Sequence, residues 1–214
     1  MLPRGSIDHM HYAFFNRPRN PTMSTADADR WEARYRAGTA AYAAQPAPFV
    51  QQWLPRLPRG RALDVACGLG ATAIALAEAG FEVTAIDIAP TALARAREEA
   101  DRRGVRVDWQ CADLAGHRLA SNHYDLIVNI HFVNRDLVAQ FADALKPGGW
   151  LLFEQHLRWP RPVAGPTSDH YRLRINELRH LLWQLHLVYY EEGLFDAADG
   201  NSLALARAAA RRAT

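Results

Sequence analysis

Asp64, Gly68 and Gly70 stand in the run Asp64-Val65-Ala66-Cys67-Gly68-Leu69-Gly70, between an apolar stretch and an alanine-rich one. Glycines let the main chain approach a ligand that a Cβ would hold off. A helix starting just after them would point free N–H groups at the same ligand. Asp87 follows Asp64 by 23 positions, at the end of a second apolar run, with Ile88 behind it. A carboxylate there can accept hydrogen bonds from two ribose hydroxyls. This pattern predicts nucleotide-type cofactor binding, and two cofactors compete for it. Gly68-x-Gly70-x-x-Ala73 fits the relaxed dinucleotide fingerprint, which would make the protein a nicotinamide-dependent oxidoreductase. Asp64 argues the other way, because a carboxylate repels a pyrophosphate and attracts an amino group. The zwitterionic end of S-adenosyl-L-methionine suits such a turn. A third reading keeps the cofactor pocket without turnover, as a binding module.

Proton chemistry would fall to histidines, whose resting pKa suits it. His131 follows the expected fourth strand and His156 the fifth, so both are candidate catalytic bases; the competing reading for each is packing. An anionic or soft acceptor would need no base, and Arg135, Arg158 and Arg172 would then complement its charge. His170 and Tyr171 lie in the same late loop as Arg172. Histidines and carboxylates lack clustered ligand spacing, so no metal is expected.

These residues need a scaffold. Periodicity predicts a helix from Asp27 to just before Gly38, then a short one through Phe49–Leu54 between prolines. Strands are predicted at Ala62–Ala66, Glu82–Ile86, Val105–Cys111, Tyr124–Ile130 and Trp150–Glu154. Helices are predicted across Thr72–Ala79 and from Pro90 to a cap at Gly104. Leu137, Phe141 and Leu145, each four apart, mark a further helix, and Lys146-Pro147-Gly148-Gly149 a turn. Beyond a loop over His156–Tyr171, a helix is expected over Asn176–Leu185. Leu187–Glu191 and Leu203–Ala208 form an edge hairpin through Asp199-Gly200-Asn201. Strands alternating with helices predict an α/β fold: a doubly wound, mostly parallel sheet.

Composition narrows the partners. The 214 residues hold 49% hydrophobic and 22% charged side chains, enough for a real core in one domain. Lys and Arg number 25 against 23 Asp and Glu, too balanced for long nucleic acid or an anionic membrane. No apolar run reaches membrane-spanning length. Two cysteines make no disulfide framework, so a reduced, cytoplasmic setting is expected. Residues 1–23 are proline-dotted and contain Leu2-Pro3-Arg4-Gly5-Ser6, similar to part of an engineered protease site. They are read as a flexible extension or tag remnant.

Four segments together carry a resemblance to class I S-adenosylmethionine-dependent methyltransferases. They are Leu63–Gly70, Val83–Asp87, Cys111-Ala112-Asp113-Leu114 and Leu145–Gly149. The resemblance implies one methyltransferase domain over 24–214, a seven-stranded Rossmann-like sheet with one antiparallel edge strand, and S-adenosyl-L-methionine as cofactor. By it, Asp64, Ala66, Gly68 and Gly70 cradle the methionine part. Asp87 holds the ribose hydroxyls, with Ile88 in the same cofactor-binding set. Asp113 accepts from the adenine amine, the Leu114 backbone lies beside the ring, and Asn129 lines the methyl-donor cleft. Trp31–Arg36, Asn129–Arg135 and Arg174–Arg179 with Tyr190–Gly193 also resemble the tellurite-resistance and thiopurine methyltransferase-like group. There the first helix lids the cofactor, and Arg34 would pair with the methionine carboxylate. The chain departs from that group at Arg174-Ile175-Asn176, where a Pro-Gly-like turn is expected. The implied acceptor is a small molecule bearing a thiol, chalcogen oxyanion, carboxylate or hydroxyl.

Overall fold

Apolar runs buried on both faces make the central strands. In β1 (Arg61–Val65) every residue after Arg61 is buried, as a parallel sheet covered by helices requires. The computed structural model describes residues 25–38, 45–196 and 200–214. The stretch 1–23, expected to be flexible, lies outside them, as does Asp199 of the expected hairpin turn.

In chain order the elements are α1 (Thr25–Arg36), α2 (Pro48–Trp53), β1, α3 (Ala71–Glu78), β2 (Glu82–Asp87), α4 (Pro90–Arg102), β3 (Asp108–Cys111) and β4 (Tyr124–Ile130). There follow α5 (Arg135–Val138), α6 (Phe141–Ala144), β5 (Leu145–His156), α7 (Glu177–Leu181), β6 (His186–Asp196) and β7 (Ser202–Arg211). The sheet runs β3-β2-β1-β4-β5-β7-β6. The first five strands pair in parallel. β7 pairs antiparallel with both β5 and β6, so the reversed strand sits one place in from the edge. Alternation along the strands splits the core by face. Leu63, Ile127 and Phe153 pack with α5, α6 and α7, while Ala62, Leu126 and Leu152 pack with Phe49, Trp53 and α3.

Four local expectations change. The single helix through Leu137, Phe141 and Leu145 is two short ones, and Leu145 instead begins β5 and pairs with Tyr124. Pro147 disfavours helix at the residue before it, and Asn122 and His123 donate their N–H groups to the carbonyls of Asp143 and Ala144. The Lys146–Gly149 turn is a bulge within β5, between the pairs Tyr124–Leu145 and Leu126–Trp150. β3 starts only at Asp108, because Val105 is spent closing α4 by donating to Ala100 O. The helix expected over Asn176–Leu185 is the short α7. Asn176 before it has φ 65 and supplies the left-handed turn that a Pro-Gly pair would have made.

Strand order reverses between β1 and β4. Open α/β sheets hold their ligands in the crevice at such a switch point, beyond the carboxyl ends of the strands. No helix among the described residues is long and apolar enough to cross a membrane.

Candidate active site

A cavity of about 290 Å³ opens at that switch point. Its floor is Ala66 after β1, Asp87 and Ile88 at the end of β2, Ala112 and Leu114 after β3, and Ile130 to Val133 after β4. Asp27, Trp31 and Tyr35 of α1 and His170 and Tyr171 of the late loop complete it.

Asp87 is the charged group of the floor, and it is held rigidly. Its Oδ2 accepts the Gly68 N–H at 2.8 Å and its Oδ1 the Ala89 N–H at 2.9 Å. Burial pushes its carboxyl up, and these backbone donors pull against that. Each carboxylate oxygen accepts more than one hydrogen bond, so both can still take a hydroxyl. Asp64 is buried one layer deeper, outside the cavity lining. Burial raises its pKa to about 8, opposed by the N–H of Ala73 in the first turn of α3. Its Oδ2 has no partner among the described residues.

The two glycines serve different ends. A Cβ on Gly68 would stand 2.8 Å from the Tyr35 hydroxyl, so this turn lies directly against α1. A Cβ on Gly70 would come within 2.6 Å of Trp109 and 2.9 Å of the Ala96 Cβ. Gly70 is therefore demanded by packing and by its φ of 79, rather than by an open ligand face. Ala66, at φ 55, makes the left-handed step that aims the turn.

Other predicted residues sit at the margins. Leu114 lines the cavity, whereas Asp113 lies outside the lining and its Oδ1 accepts the Ala115 N–H at 2.7 Å. Asn129 is buried beneath the floor, where Nδ2 donates to Phe132 O at 2.7 Å and shapes the turn after β4. Its Oδ1 has no partner among the described residues. Arg34 is exposed, with its guanidinium 4.8 Å over the ring of Trp31.

His131 lines the cavity and His156 does not. Their rings stack at 4.5 Å with 24° between planes. His156 is 8% exposed, and Gly165 packs against its ring. Burial, with the His131 ring and the Arg172 guanidinium beside it, pushes its pKa down to about 3. Its Nδ1 is buried without a partner among the described residues. Arg172 donates to the carbonyls of Leu157, Ala164 and Pro166, and Arg135 pairs with Glu177 at 2.6 Å. Both guanidiniums are engaged in holding the late loop.

α1 is latched at two places. Glu32 accepts from the Thr91 hydroxyl, and at 3.1 Å from the Thr91 N–H, at the start of α4. Asp27 accepts from the Tyr171 hydroxyl at 3.0 Å, and Arg30 donates to the same hydroxyl. Sequence reasoning read Trp31 and Tyr35 as part of an amphipathic helix that, by resemblance, would lid the cofactor, and both line the cavity. It passed over Glu154, although a glutamate within the apolar run Trp150–Leu157 is itself a signal, since such a charge must be paired.

Residues 62–149 match the family described as a methyltransferase domain. A ribosomal protein L11 methyltransferase of Symbiobacterium thermophilum is 40% identical over 109 residues, covering 49% of this chain and 35% of that protein. A ubiquinone biosynthesis O-methyltransferase of Bordetella avium is 31% identical over 121 residues, covering 53% and 49%. The chain thus spans about a third to a half of the curated relatives it matches. Among solved structures, TehB from Haemophilus influenzae superposes with a TM-score of 0.69 at 20% identity, over 85% of this chain and 67% of that one. The 1,6-didemethyltoxoflavin-N1-methyltransferase of Burkholderia thailandensis, solved with bound 1,6-didemethyltoxoflavin and S-adenosylhomocysteine, gives 0.68 at 19%, over 93% of each chain. At those identities the likeness is one of fold.

In its matched segment and in its fold the chain is similar to S-adenosylmethionine-dependent methyltransferases. The matched residues 62–149 run from β1 through β4 to the turn within β5.

The residues present fit S-adenosylmethionine. Asp87 offers a fixed carboxylate for ribose hydroxyls, and the apolar Ile88, Ala112 and Leu114 line the same cavity for the adenine.

Proposed function

We propose that the protein methylates a small acceptor with a flat aromatic body. The carrying observation is one cavity that Asp87 enters from β2 and His131 enters from beyond β4, with Trp31, Phe132 and Tyr171 as further walls. When bound, the cofactor supplies a methyl group on a sulfonium, already activated for displacement. The protein's work is then to bind, orient and exclude water. Asp87, Ala66, Ile88 and Leu114 hold the donor. Asp64 supports the turn that receives its amino-acid end, and Arg34 closes over that end from α1. Asp113 and Asn129 steady the adenine edge and the floor. His131 takes the acceptor's proton where one must leave, and His156 supports its ring. Free Cys67 and Cys111 suit a cytoplasmic setting.

Titration calorimetry with S-adenosylmethionine and, separately, NADH tests the donor side. Binding of the first with none of the second is expected. Binding of NADH alone would overturn the assignment. A panel of phenols, thiols and carboxylates, read by S-adenosylhomocysteine release, tests the acceptor side; donor binding with release from none of them would leave a binding module.

A further inference from the structure

A glutamate inside an apolar strand is costly unless its charge is met. Glu154 of β5 is 2% exposed. Its Oε2 accepts from Arg207 Nε of β7 at 2.6 Å, and its Oε1 lies 2.9 Å from His131 Nε2. The Glu154 main-chain carbonyl also accepts the His131 N–H, at 2.8 Å. His131 has φ 58, a left-handed conformation that a non-glycine residue keeps only when its surroundings impose it. One residue therefore ties both the backbone and the ring of His131. The guanidinium of Arg207 is itself stacked 3.8 Å over Phe195, so the carboxylate has little room to swing.

Burial pushes the Glu154 carboxyl up, but the His131 hydrogen bond and the Arg207 cation outweigh it and hold it below the usual range. An ionised carboxylate only accepts hydrogen bonds. Nε2 of His131 must then carry the ring proton, and Nδ1 is the nitrogen left with a lone pair.

We propose that Glu154 is a positioning residue: it holds His131 as the Nε2–H tautomer, with Nδ1 free as the base, and so selects acceptors that lose a proton on methylation, phenolic hydroxyls above all. This rests on the reading of His131 as the acceptor-side base. The acceptor O–H gives its proton to Nδ1. The oxygen pair so freed forms the bond to the methyl carbon, and the pair of the broken carbon–sulfur bond stays on sulfur. The resulting imidazolium lies against the Glu154 carboxylate. The other groups around His131 are His156 beneath its ring, Arg172 beside His156, and Asp27, Asp87, His170 and Tyr171 around the cavity. Glu154 is the one whose charge is hydrogen-bonded to the ring.

Long-range proton–nitrogen spectra of the full chain read this directly, with the His131 signals assigned by their loss in His131→Gln. At pH 8 the native protein is expected to show the Nε2–H tautomer. Glu154→Leu is expected to scramble it, and Glu154→Gln, whose amide oxygen still accepts a hydrogen bond, to keep it. A native Nδ1–H tautomer overturns the proposal without any variant, and so does an unchanged spectrum in Glu154→Leu. Methyl transfer to phenol and to 4-nitrophenolate, which is already ionised, gives a second reading. In Glu154→Gln the phenol-to-nitrophenolate turnover ratio is expected to fall about tenfold or more. An unchanged ratio would make Glu154 a fold residue only. Native protein that methylates neither probe would overturn the phenolic class, while the tautomer spectrum decides the role of Glu154 separately.

Discussion

At the scale of single residues the proposed donor side rests on Asp87, whose two oxygens are fixed by the N–H groups of Gly68 and Ala89. Removing a charged hydrogen-bond partner costs about 1.5–3 kcal/mol. Asp87→Ala should therefore raise the S-adenosylmethionine Kd roughly 10- to 150-fold, read by calorimetry on protein with an unchanged circular dichroism spectrum. Gly70 makes a contrasting case, since its cost lies in the fold. An alanine there combines a left-handed φ with crowding against Trp109 and Ala96. Gly70→Ala should lower stability by about 2 kcal/mol or more, seen as a shifted urea midpoint. The motif run Asp64–Gly70 was legible as the glycine turn between β1 and α3. The division of labour within it was not, because Tyr35 and Trp109 come from elements distant in sequence.

At the scale of elements, α1 walls the cavity with Asp27, Trp31 and Tyr35. It is held by Glu32 on Thr91 and by Asp27 and Arg30 on Tyr171. Hydrogen bonds of this kind contribute about 1 kcal/mol each. Tyr171→Phe should thus speed amide hydrogen exchange over residues 25–38 about fivefold, with bound S-adenosylmethionine restoring part of the protection. Equal exchange in both proteins would show that the latch holds nothing. The helix itself was readable from periodicity. Its partners were not, since α1 meets Tyr171 across 144 positions of chain, counted from Asp27. The broken helix between Arg135 and Ala144 follows the same logic. Its apolar spacing was correct, but Gln140 donates to His117 O and accepts from Leu119 N, fixing a turn where the pattern continued.

At the scale of the whole molecule, two buried carboxyls tilt stability against pH in opposite directions. Asp64 has a folded pKa raised to about 8, so its contribution is full below the unfolded value near 4 and is lost as pH rises toward 8. Asp64→Asn should flatten that part of the stability curve by a few kcal/mol in chemical denaturation between pH 5 and 8, since each tenfold change in acidity is worth about 1.4 kcal/mol. Glu154 is held low, so its contribution is present above its unfolded value and lost in acid. The strand and helix alternation, the glycine turn, Asp87 and the resemblance to class I methyltransferases were determined by the sequence alone. They rest on local periodicity and on short contiguous motifs, which a chain displays without folding. Which histidine reaches the cavity, what Glu154 does and why Gly70 must be glycine were decided only by the tertiary structure. Each depends on side chains that β5, β7, α1 and the late loop bring together across the sheet, and pairings of that range leave no period in the chain.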